Sequence, residues 1–224
     1  MCLILVAWKV REGLPLVVAA NRDEFHARAA AGASFWQDHP RILGGRDLEA
    51  QGTWMAVSRS GKFASVTNYR GGRDPNALES RGALVTRFLE GDAPPAAYVG
   101  ELADRLAAYS GFNLLAADGD ELWWVSNRGG EARSLAPGVY ALGNFLLDSE
   151  DVAGIRTRFA DCAVAIEPLF GLLATARIVN GSYGTRCSTV LLAGADGCHR
   201  FAERAFDAQG GEGPTLRFEF RAAS

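Results

Sequence analysis

The sequence MCLILVAWKVREGLPLVVAANRDEF, residues 1–25, contains two apolar runs separated by a short polar segment. The run Cys2–Val10 is rich in β-forming residues, Glu12-Gly13-Leu14 supplies a turn, and apolar residues resume over Pro15–Ala20. This pattern predicts a β-hairpin. Both strands are too apolar to leave one face in water, so the hairpin should lie inside a sheet that is covered on both sides. Such a hairpin brings Asn21–Glu24, at the end of the second strand, back beside the N-terminus.

Outward from this hairpin, strand patterns and helix patterns alternate in blocks. A second hairpin is predicted over Thr53–Ser58 and Lys62–Tyr69, with loops at Gly44-Gly45 and Gly71-Gly72 on either side. Helices are predicted over Ser80–Glu90, with Ser80 as N-cap and Gly91 as the stop, and from Pro94-Pro95 to about Tyr109. Further strands are Phe112–Ala117, Glu121–Asn127 and Tyr140–Leu142, followed by helices over Ser149–Ile166 and Pro168–Ala176 and by the strands Ser188–Ala193, His199–Phe206 and Thr215–Arg221. The order predicts an α+β fold of two antiparallel-rich sheets with helices outside.

The composition and charge of the chain exclude several classes of function. The 224 residues are 48% hydrophobic and 22% charged, which is typical of a globular protein, and they predict a single domain over residues 1–224. A net charge of −3 without a basic cluster argues against a nucleic-acid partner. The apolar run Leu3–Trp8 is too short to span a membrane and has no basic segment before it, so neither a membrane span nor a signal peptide is predicted. We therefore expect a cytoplasmic protein.

The four cysteines are Cys2, Cys162, Cys187 and Cys198, and no two have a C-x-x-C spacing. Zinc ribbons and thioredoxin-type motifs are thereby excluded, and the last three cysteines are expected to be small buried residues. The histidines His26, His39 and His199 show no metal-ligand spacing. A phosphate-binding glycine loop and a serine elbow are also missing from the sequence, so no metal or cofactor is implied.

Cys2 stands out because of its position. Removal of Met1 would leave a cysteine whose own α-amino group, with a pKa of about 7.7–8.0, can act as the base for its thiol. A cysteine in second position can equally arise by chance. Neighbouring polar residues strengthen the catalytic interpretation of Cys2. The hairpin brings the four polar residues Asn21-Arg22-Asp23-Glu24 next to the N-terminus, and a buried strand must provide such residues with partners. The alternative for these four residues is a solvated turn.

Several motifs in this order resemble those of one family. They are Met1-Cys2, Asn21-Arg22-Asp23-Glu24-Phe25, Gly44-Gly45-Arg46-Asp47, Gly52-Thr53-Trp54, Thr67-Asn68-Tyr69-Arg70 and Tyr183-Gly184-Thr185-Arg186-Cys187-Ser188-Thr189. Together they resemble the NRDE family, also called the transport and Golgi organisation protein 2 family, over essentially the whole chain. That family is similar to the cysteine branch of the N-terminal nucleophile hydrolases, which includes penicillin V acylase and bile salt hydrolase. The resemblance implies a four-layer αββα sandwich.

The resemblance also implies roles for individual residues. Cys2 would be the nucleophile, and Arg22 with Asp23 would set its charge state. In the acylases two residues separate the arginine from the aspartate. The positions that match this pair could therefore also be Asn21 and Glu24. Asn68 would donate to the oxyanion and Asn144 would be the second donor, while Arg186 would stabilise the thiolate. The alternatives are a loop cap for Asn68, a turn residue for Asn144 and a surface cation for Arg186; Gly52 and Trp54 are more typical of a turn and of the core.

The leading functional hypothesis is a hydrolase or acyltransferase acting on a non-peptide amide (C–N) bond of an unidentified small molecule. The rival hypothesis is a non-catalytic binding or carrier protein for haem or acyl-lipid metabolites on the same fold. The resemblance suggests it, because eukaryotic members of the family are associated with secretory-pathway organisation and with the handling of such metabolites. A catalytic role requires that Met1 be removed and that activity depend on Cys2. A carrier would retain its ligand affinity without the thiol.

Overall fold

Two seven-stranded antiparallel sheets form the centre of the computed structural model, which describes residues 2–71 and 74–223. The first sheet contains β1 (Leu3–Arg11), β2 (Leu14–Phe25), β10 (Gly138–Leu142), β11 (Val179–Asn180), β12 (Tyr183–Ala193), β13 (Cys198–Phe206) and β14 (Glu212–Arg221). Its order is β10-β1-β2-β12-β13-β14, and β11 pairs with β12. The second sheet contains, in spatial and chain order alike, β3 (Ala30–Phe35), β4 (Ile42–Asp47), β5 (Met55–Ser58), β6 (Phe63–Asn68), β7 (Phe112–Ala117), β8 (Leu122–Ser126) and β9 (Arg133–Ser134).

Helices cover the outer face of each sheet. The helices α1 (Gly82–Glu90) and α2 (Pro95–Leu102), the second extended by a 3₁₀ helix over Ala103–Ala108, pack on the second sheet; α3 (Glu150–Asp161) and α4 (Ile166–Ala174) pack on the first. One apolar core lies between the sheets and one lies under each helix pair. The predicted four-layer αββα sandwich of α+β class is confirmed. Within the described residues, no helix is both long and apolar enough to cross a bilayer.

The β1–β2 hairpin forms as predicted. Val6 and Trp8 point into the core between the sheets, whereas Leu5 and Ala7 point towards the helices, and all four are at most 2% exposed. The pairing places Leu3 opposite Asn21. Because residues directly opposite each other in an antiparallel pair share a face, Cys2 and Arg22 continue the ladder on the side between the two sheets.

Asn21–Glu24 lie within the last part of β2, which continues to Phe25, so the alternative of a solvated turn is wrong. The strand can continue through these polar residues because β12 runs alongside it, with Asp23 opposite Thr185 and Arg22 opposite Cys187. Asn21, Arg22 and Asp23 are each at most 6% exposed.

Gly44-Gly45 were predicted to form a loop and instead lie inside β4. Their small size serves close packing: a Cβ on Gly44 would lie 2.7 Å from Ala56 Cβ, and one on Gly45 would overlap the Trp54 ring. Glycine in a strand is therefore a mark of close approach here, as it often is. Gly72, from the other predicted loop, lies outside the described residues.

Smaller corrections concern helix ends and cysteines. The first helix begins at Gly82 with Arg81 in the N-cap position, and the Ser80 hydroxyl, outside that position, accepts a 3.3 Å hydrogen bond from the Gly82 amide. Gly91 ends this helix as predicted. Of the three cysteines expected to be buried, only Cys187 is; Cys162 and Cys198 are half-buried and all of the cysteines are free.

Candidate active site

Cys2 lies in the floor of a cavity of about 400 Å³ between the ends of the two sheets. The first sheet contributes Arg22, Asp23 and Glu24 to the lining, and the second sheet contributes Val66 and Asn68. The remaining walls come from the segment around Asp47 and from residues 77–82, before and at the start of α1. A cavity of this volume is in the range that small-molecule ligands occupy.

The Cys2 thiol is half-buried and its Sγ lies 3.5 Å from the carbonyl oxygen of Asp23. Burial raises the pKa of this thiol, and the negative charge of Asp23 raises it further. The hydrogen bond to the Asp23 carbonyl and the positive charge of Arg22 act in the opposite direction. A nearby guanidinium favours the thiolate, so the position of Arg22 bears directly on the reactivity of Cys2.

Arg22 is only 6% exposed and is held from two sides. Its guanidinium carbon lies 4.2 Å from the centre of the Trp54 ring, and its Nη2 lies 3.8 Å from Asp47 Oδ2. Its Nη1 is buried and has no hydrogen-bond partner among the described residues. An unpaired buried donor is costly.

Asp23 is 3% exposed and accepts a 2.5 Å hydrogen bond from Thr185 Oγ1 at its Oδ1. Thr185 in turn accepts from the Ile178 amide at 2.9 Å, which fixes the orientation of its hydroxyl. The Tyr183 hydroxyl donates to the Asp23 carbonyl oxygen, and burial, with the charges of Cys2 and Asp23, raises the pKa of this phenol. Tyr183 therefore remains a neutral hydrogen-bond donor to the same Asp23 carbonyl oxygen that the Cys2 thiol approaches.

Asn21 points away from the cavity. Its Nδ2 donates to the Leu173 carbonyl of α4 at 3.0 Å, and its Oδ1 accepts from Ser188 Oγ at 2.6 Å. These buried contacts connect β2 to the helix α4 and to the neighbouring strand β12. The sequence left two pairs open, Arg22 with Asp23 and Asn21 with Glu24. The structure brings Arg22 and Asp23 beside Cys2. Asn21 lies on the other face of the sheet, and Glu24 lies in the cavity wall.

Asn68 ends β6, is exposed, and lines the cavity. Asn144 has a different position from the one expected of a second donor. Its Nδ2 donates to the Asn68 carbonyl oxygen at 2.6 Å, and its own carbonyl accepts from the Arg70 amide at 2.7 Å. Asn144 thus fixes the backbone that carries Asn68, and its amide is engaged in doing so.

Arg186 is placed at a bulge of β12, between Thr185 and Cys187. Its Nη1 donates to the carbonyl oxygens of Phe25 at 2.9 Å and Arg28 at 3.0 Å, so it holds the turn that follows β2. Burial and the charge of Arg22 lower the pKa of this guanidinium. The structure brings Arg186 behind the cavity wall and not into the cavity lining.

Four residues around Cys2 had no predicted chemical role: Thr185, Asp47, Arg28 and Trp54. Arg28 pairs with Asp47 at 2.7 Å and Trp54 stacks on Arg22. The quoted motifs contained Thr185, Asp47 and Trp54, but their contacts depend on strand pairing that local sequence does not reveal. Among the described residues, no group of three or more His, Cys, Asp or Glu side chains could hold a metal ion.

Replacing Trp54 should raise the pKa of the Cys2 thiol, because the ring fixes the charge of Arg22 near it. For Trp54→Ala we expect the midpoint of Cys2 alkylation to move to higher pH, because the charge of Arg22 lowers the pKa of this thiol and Arg22 would lose the ring that fixes it. Trp54→Phe should restore most of the wild-type value. Gly45→Ala should act like Trp54→Ala, since its Cβ would displace the same ring.

The measurement is the pH dependence of Cys2 alkylation by iodoacetamide, mapped by mass spectrometry. Trp123→Phe is the matched control, because Trp123 packs on the opposite side of the second sheet. A midpoint that stays the same in Trp54→Ala, with the folded state intact, would show that Trp54 does not position Arg22.

Two packed antiparallel sheets with helices on their outer faces define a class of fold, and solved N-terminal nucleophile hydrolases share it. A Caenorhabditis elegans ortholog of N-acylethanolamine-hydrolyzing acid amidase aligns with a TM-score of 0.57 over 85% of this chain and 92% of its own, at 14% identity. A mutant of the conjugated bile acid hydrolase from Clostridium perfringens aligns with a TM-score of 0.55 over 99% and 98%, at 10% identity. At these sequence identities, both alignments show a shared fold alone.

Within that class the sequence identifies the family. The sequence model of the family described as Transport and Golgi organisation 2 matches residues 1–165, and this chain belongs to that family. A Transport and Golgi organization protein 2 homolog from Bos taurus is 33% identical over 92% of this chain and 93% of its own length. The homolog from Homo sapiens is 31% identical over the same shares. The resemblance read from the motifs is confirmed.

Proposed function

We propose that this protein is a cysteine amidohydrolase or acyltransferase in which Cys2, freed of Met1, attacks the carbonyl carbon of a non-peptide amide. The observation that carries the proposal is the Cys2 thiol beside the buried Arg22 guanidinium in the floor of a cavity of about 400 Å³. The fold supports it, because two proteins with the same fold carry names of enzymes that cleave amides.

In the proposed reaction, the neutral α-amino group of the mature Cys2 takes the proton of the thiol. The thiolate adds to the carbonyl carbon, and the negative charge that develops on the carbonyl oxygen is met by the side-chain amide of Asn68. When the intermediate collapses, the C–N bond breaks and the α-ammonium returns its proton to the leaving nitrogen. A thioester on Cys2 remains, and water releases the acyl group as a carboxylic acid; an amine acceptor would give acyl transfer.

The other residues position these groups. Arg22 balances the charge of the thiolate, while Trp54 and Asp47 hold Arg22 in place. Asp23, whose Oδ1 is fixed by Thr185, is assigned to orient the α-ammonium that forms during the reaction. Asn144 holds the backbone at Asn68. These assignments involve only side chains of this chain and require no cofactor.

The experiment is an acid quench during turnover of a broad panel of small amides, followed by peptide mapping of the protein. We expect release of the amine and an acyl group carried by the N-terminal cysteine. A panel in which ligands bind but no amine is released and Cys2 carries no acyl group would contradict the proposal and favour the carrier for haem or acyl-lipid metabolites.

A further inference from the structure

The strand β14 forms one edge of the first sheet. Among the described residues it pairs with β13 alone, and it has ten residues, whereas β10 at the opposite edge has five. Most of its residues are exposed, including Leu216, a large apolar side chain that is 36% exposed. An edge strand presents a row of unpaired backbone groups, which can hydrogen-bond to a further strand.

The pairing with β13 fixes which backbone groups of β14 point away from the sheet. Arg221 lies opposite Cys198, and at the next position the Ala222 amide donates to the Gly197 carbonyl at 2.9 Å. Hydrogen-bonded and non-hydrogen-bonded pairs alternate along an antiparallel ladder. The residues that turn their N–H and C=O groups outward are therefore the odd-numbered ones, Thr215, Arg217, Glu219 and Arg221.

This stretch of the edge is regular. The register between β13 and β14 shifts between Arg204 and Phe206, near Pro214, which has no amide hydrogen to donate to the ladder. From Thr215 to Arg221 the pairing with β13 continues without a shift. Residues 215–221 therefore present an unbroken set of outward backbone groups.

The charged side chains of this stretch complement those of a second copy of the same strand. When two copies run antiparallel about Phe218, Arg217 of each copy lies opposite Glu219 of the other, and the outward backbone groups meet. Opposite charges directly across a pair stabilise a sheet. Centring the pair on Arg217 or on Glu219 would instead place like charges opposite each other, which is destabilising.

The charges of Arg217 and Glu219 also have neighbours within the chain. Arg217 Nη2 donates to Glu167 Oε1 of α4 at 2.5 Å. Glu219 accepts from the Cys198 thiol at 3.5 Å and lies opposite Arg200 in β13. Both side chains are exposed, a guanidinium offers several donors and a carboxylate several acceptor sites, so each can keep these contacts and bind the residue opposite.

The other face of β14 adds apolar contact to the same register. Phe218 and Phe220 are half-buried and pack against the core between the sheets, whereas Leu216 on this face is exposed. About the same axis, Leu216 of each copy lies opposite Phe220 of the other, in a non-hydrogen-bonded pair, where side chains approach most closely. The pairing thus covers an apolar side chain that the single chain leaves in water.

We propose that two copies of this chain associate through β14, in an antiparallel pair centred on Phe218 that joins their first sheets into one. The association is a symmetric dimer, because the pairing relates the two copies by a two-fold axis. It does not depend on the reaction proposed for Cys2, since no residue of β14 lines the cavity.

The experiment is sedimentation velocity over micromolar to near-millimolar concentrations of the full chain. We expect the wild type to dimerise, and Arg217→Glu and Glu219→Arg each to raise the Kd of the dimer by about tenfold or more, because each sets two like-charged pairs across the axis. An equimolar mixture of the two variants should restore the dimer, since one chain is then acidic and the other basic at both positions.

Glu167→Gln is the matched control. It removes the partner that Arg217 has within the chain and leaves β14 unchanged, so the Kd should stay at the wild-type value. Thermal unfolding checks the fold of each variant, and exposed ion pairs contribute little to it. A wild type that stays monomeric, a dimer insensitive to both charge reversals, or variants that do not associate when mixed would overturn the proposal.

Hydrogen exchange of the wild type locates the interface without any substitution. In the single chain the amides of Thr215, Arg217, Glu219 and Arg221 face water, and in the dimer they donate across the axis. Their exchange should slow by about tenfold or more from low to high protein concentration, while amides already bonded within β13 keep their rates. Slowing confined to another part of the chain would show a different interface and contradict the proposal.

Discussion

Cys2→Ala should abolish amide hydrolysis, lowering kcat by about a thousandfold or more, as loss of the nucleophile does in covalent catalysis. The reason is that no other described cysteine shares the cavity with Arg22 and Asn68. The fold should persist. The half-buried thiol has a single long hydrogen bond, to the Asp23 carbonyl, and its loss should cost no more than about 1 kcal/mol of the free energy of unfolding.

The controls are Cys162→Ala and Cys198→Ala, which remove half-buried thiols elsewhere on the molecule. Steady-state kinetics and thermal unfolding are measured on all three variants. Turnover that survives in Cys2→Ala, or that disappears in a control variant with an intact fold, would assign the chemistry to another group. Ligand binding that persists in Cys2→Ala is expected in either case and does not rescue the catalytic interpretation.

Asn68→Ala should lower kcat by about a hundredfold to a thousandfold with little change in KM, since the amide is assigned to charge that develops only after attack. Asn68 is exposed at the end of β6, so its side chain contributes little to the stability of the fold. Asn76→Ala, an exposed asparagine in the next loop, is the matched control. An equal loss of kcat in both variants, or a change confined to KM, would remove Asn68 from the reaction.

The Asn144→Ala variant tests whether Asn144 acts by holding the backbone at Asn68 or by contacting the substrate itself. Its Nδ2 donates to the Asn68 carbonyl oxygen, so the variant should act through displacement of Asn68. In an Asn68→Ala background, Asn144→Ala should therefore cause little further loss of kcat. Additive losses in the double variant would indicate that Asn144 meets the substrate independently.

The two antiparallel sheets with helices outside could be predicted from the sequence because their main signals are local, and the family resemblance added the four-layer arrangement. Two apolar runs around Glu12-Gly13-Leu14 specify the β1–β2 hairpin, and the change to helical spacing after Ser80 specifies the outer layer. The strand β4 escaped prediction because Gly44 and Gly45 are turn residues in isolation. Their role in the strand depends on Ala56 and Trp54 in the chain beyond them.

The candidate site could be predicted only in part, for a related reason. The hairpin predicts that Asn21–Glu24 return to Cys2, and the family resemblance singled out Arg22 and Asp23 among them. Thr185 and Tyr183 reach Asp23 through the pairing of β2 with β12, across a sequence separation that no local pattern encodes. The engagement of Asn144 with Asn68 likewise depends on two distant loops meeting, so its position could be recognised only in the folded chain.

The central claim is that Cys2 is a free N-terminal nucleophile, and one measurement tests it most directly. The purified protein is analysed by intact mass before and after reaction with a limiting amount of iodoacetamide, and the labelled peptide is mapped. We predict a mass that lacks Met1 and a single label on Cys2, with Cys187 protected because burial raises its pKa well above the ordinary value. Retention of Met1, or a label on Cys162 or Cys198 in place of Cys2, would contradict the account.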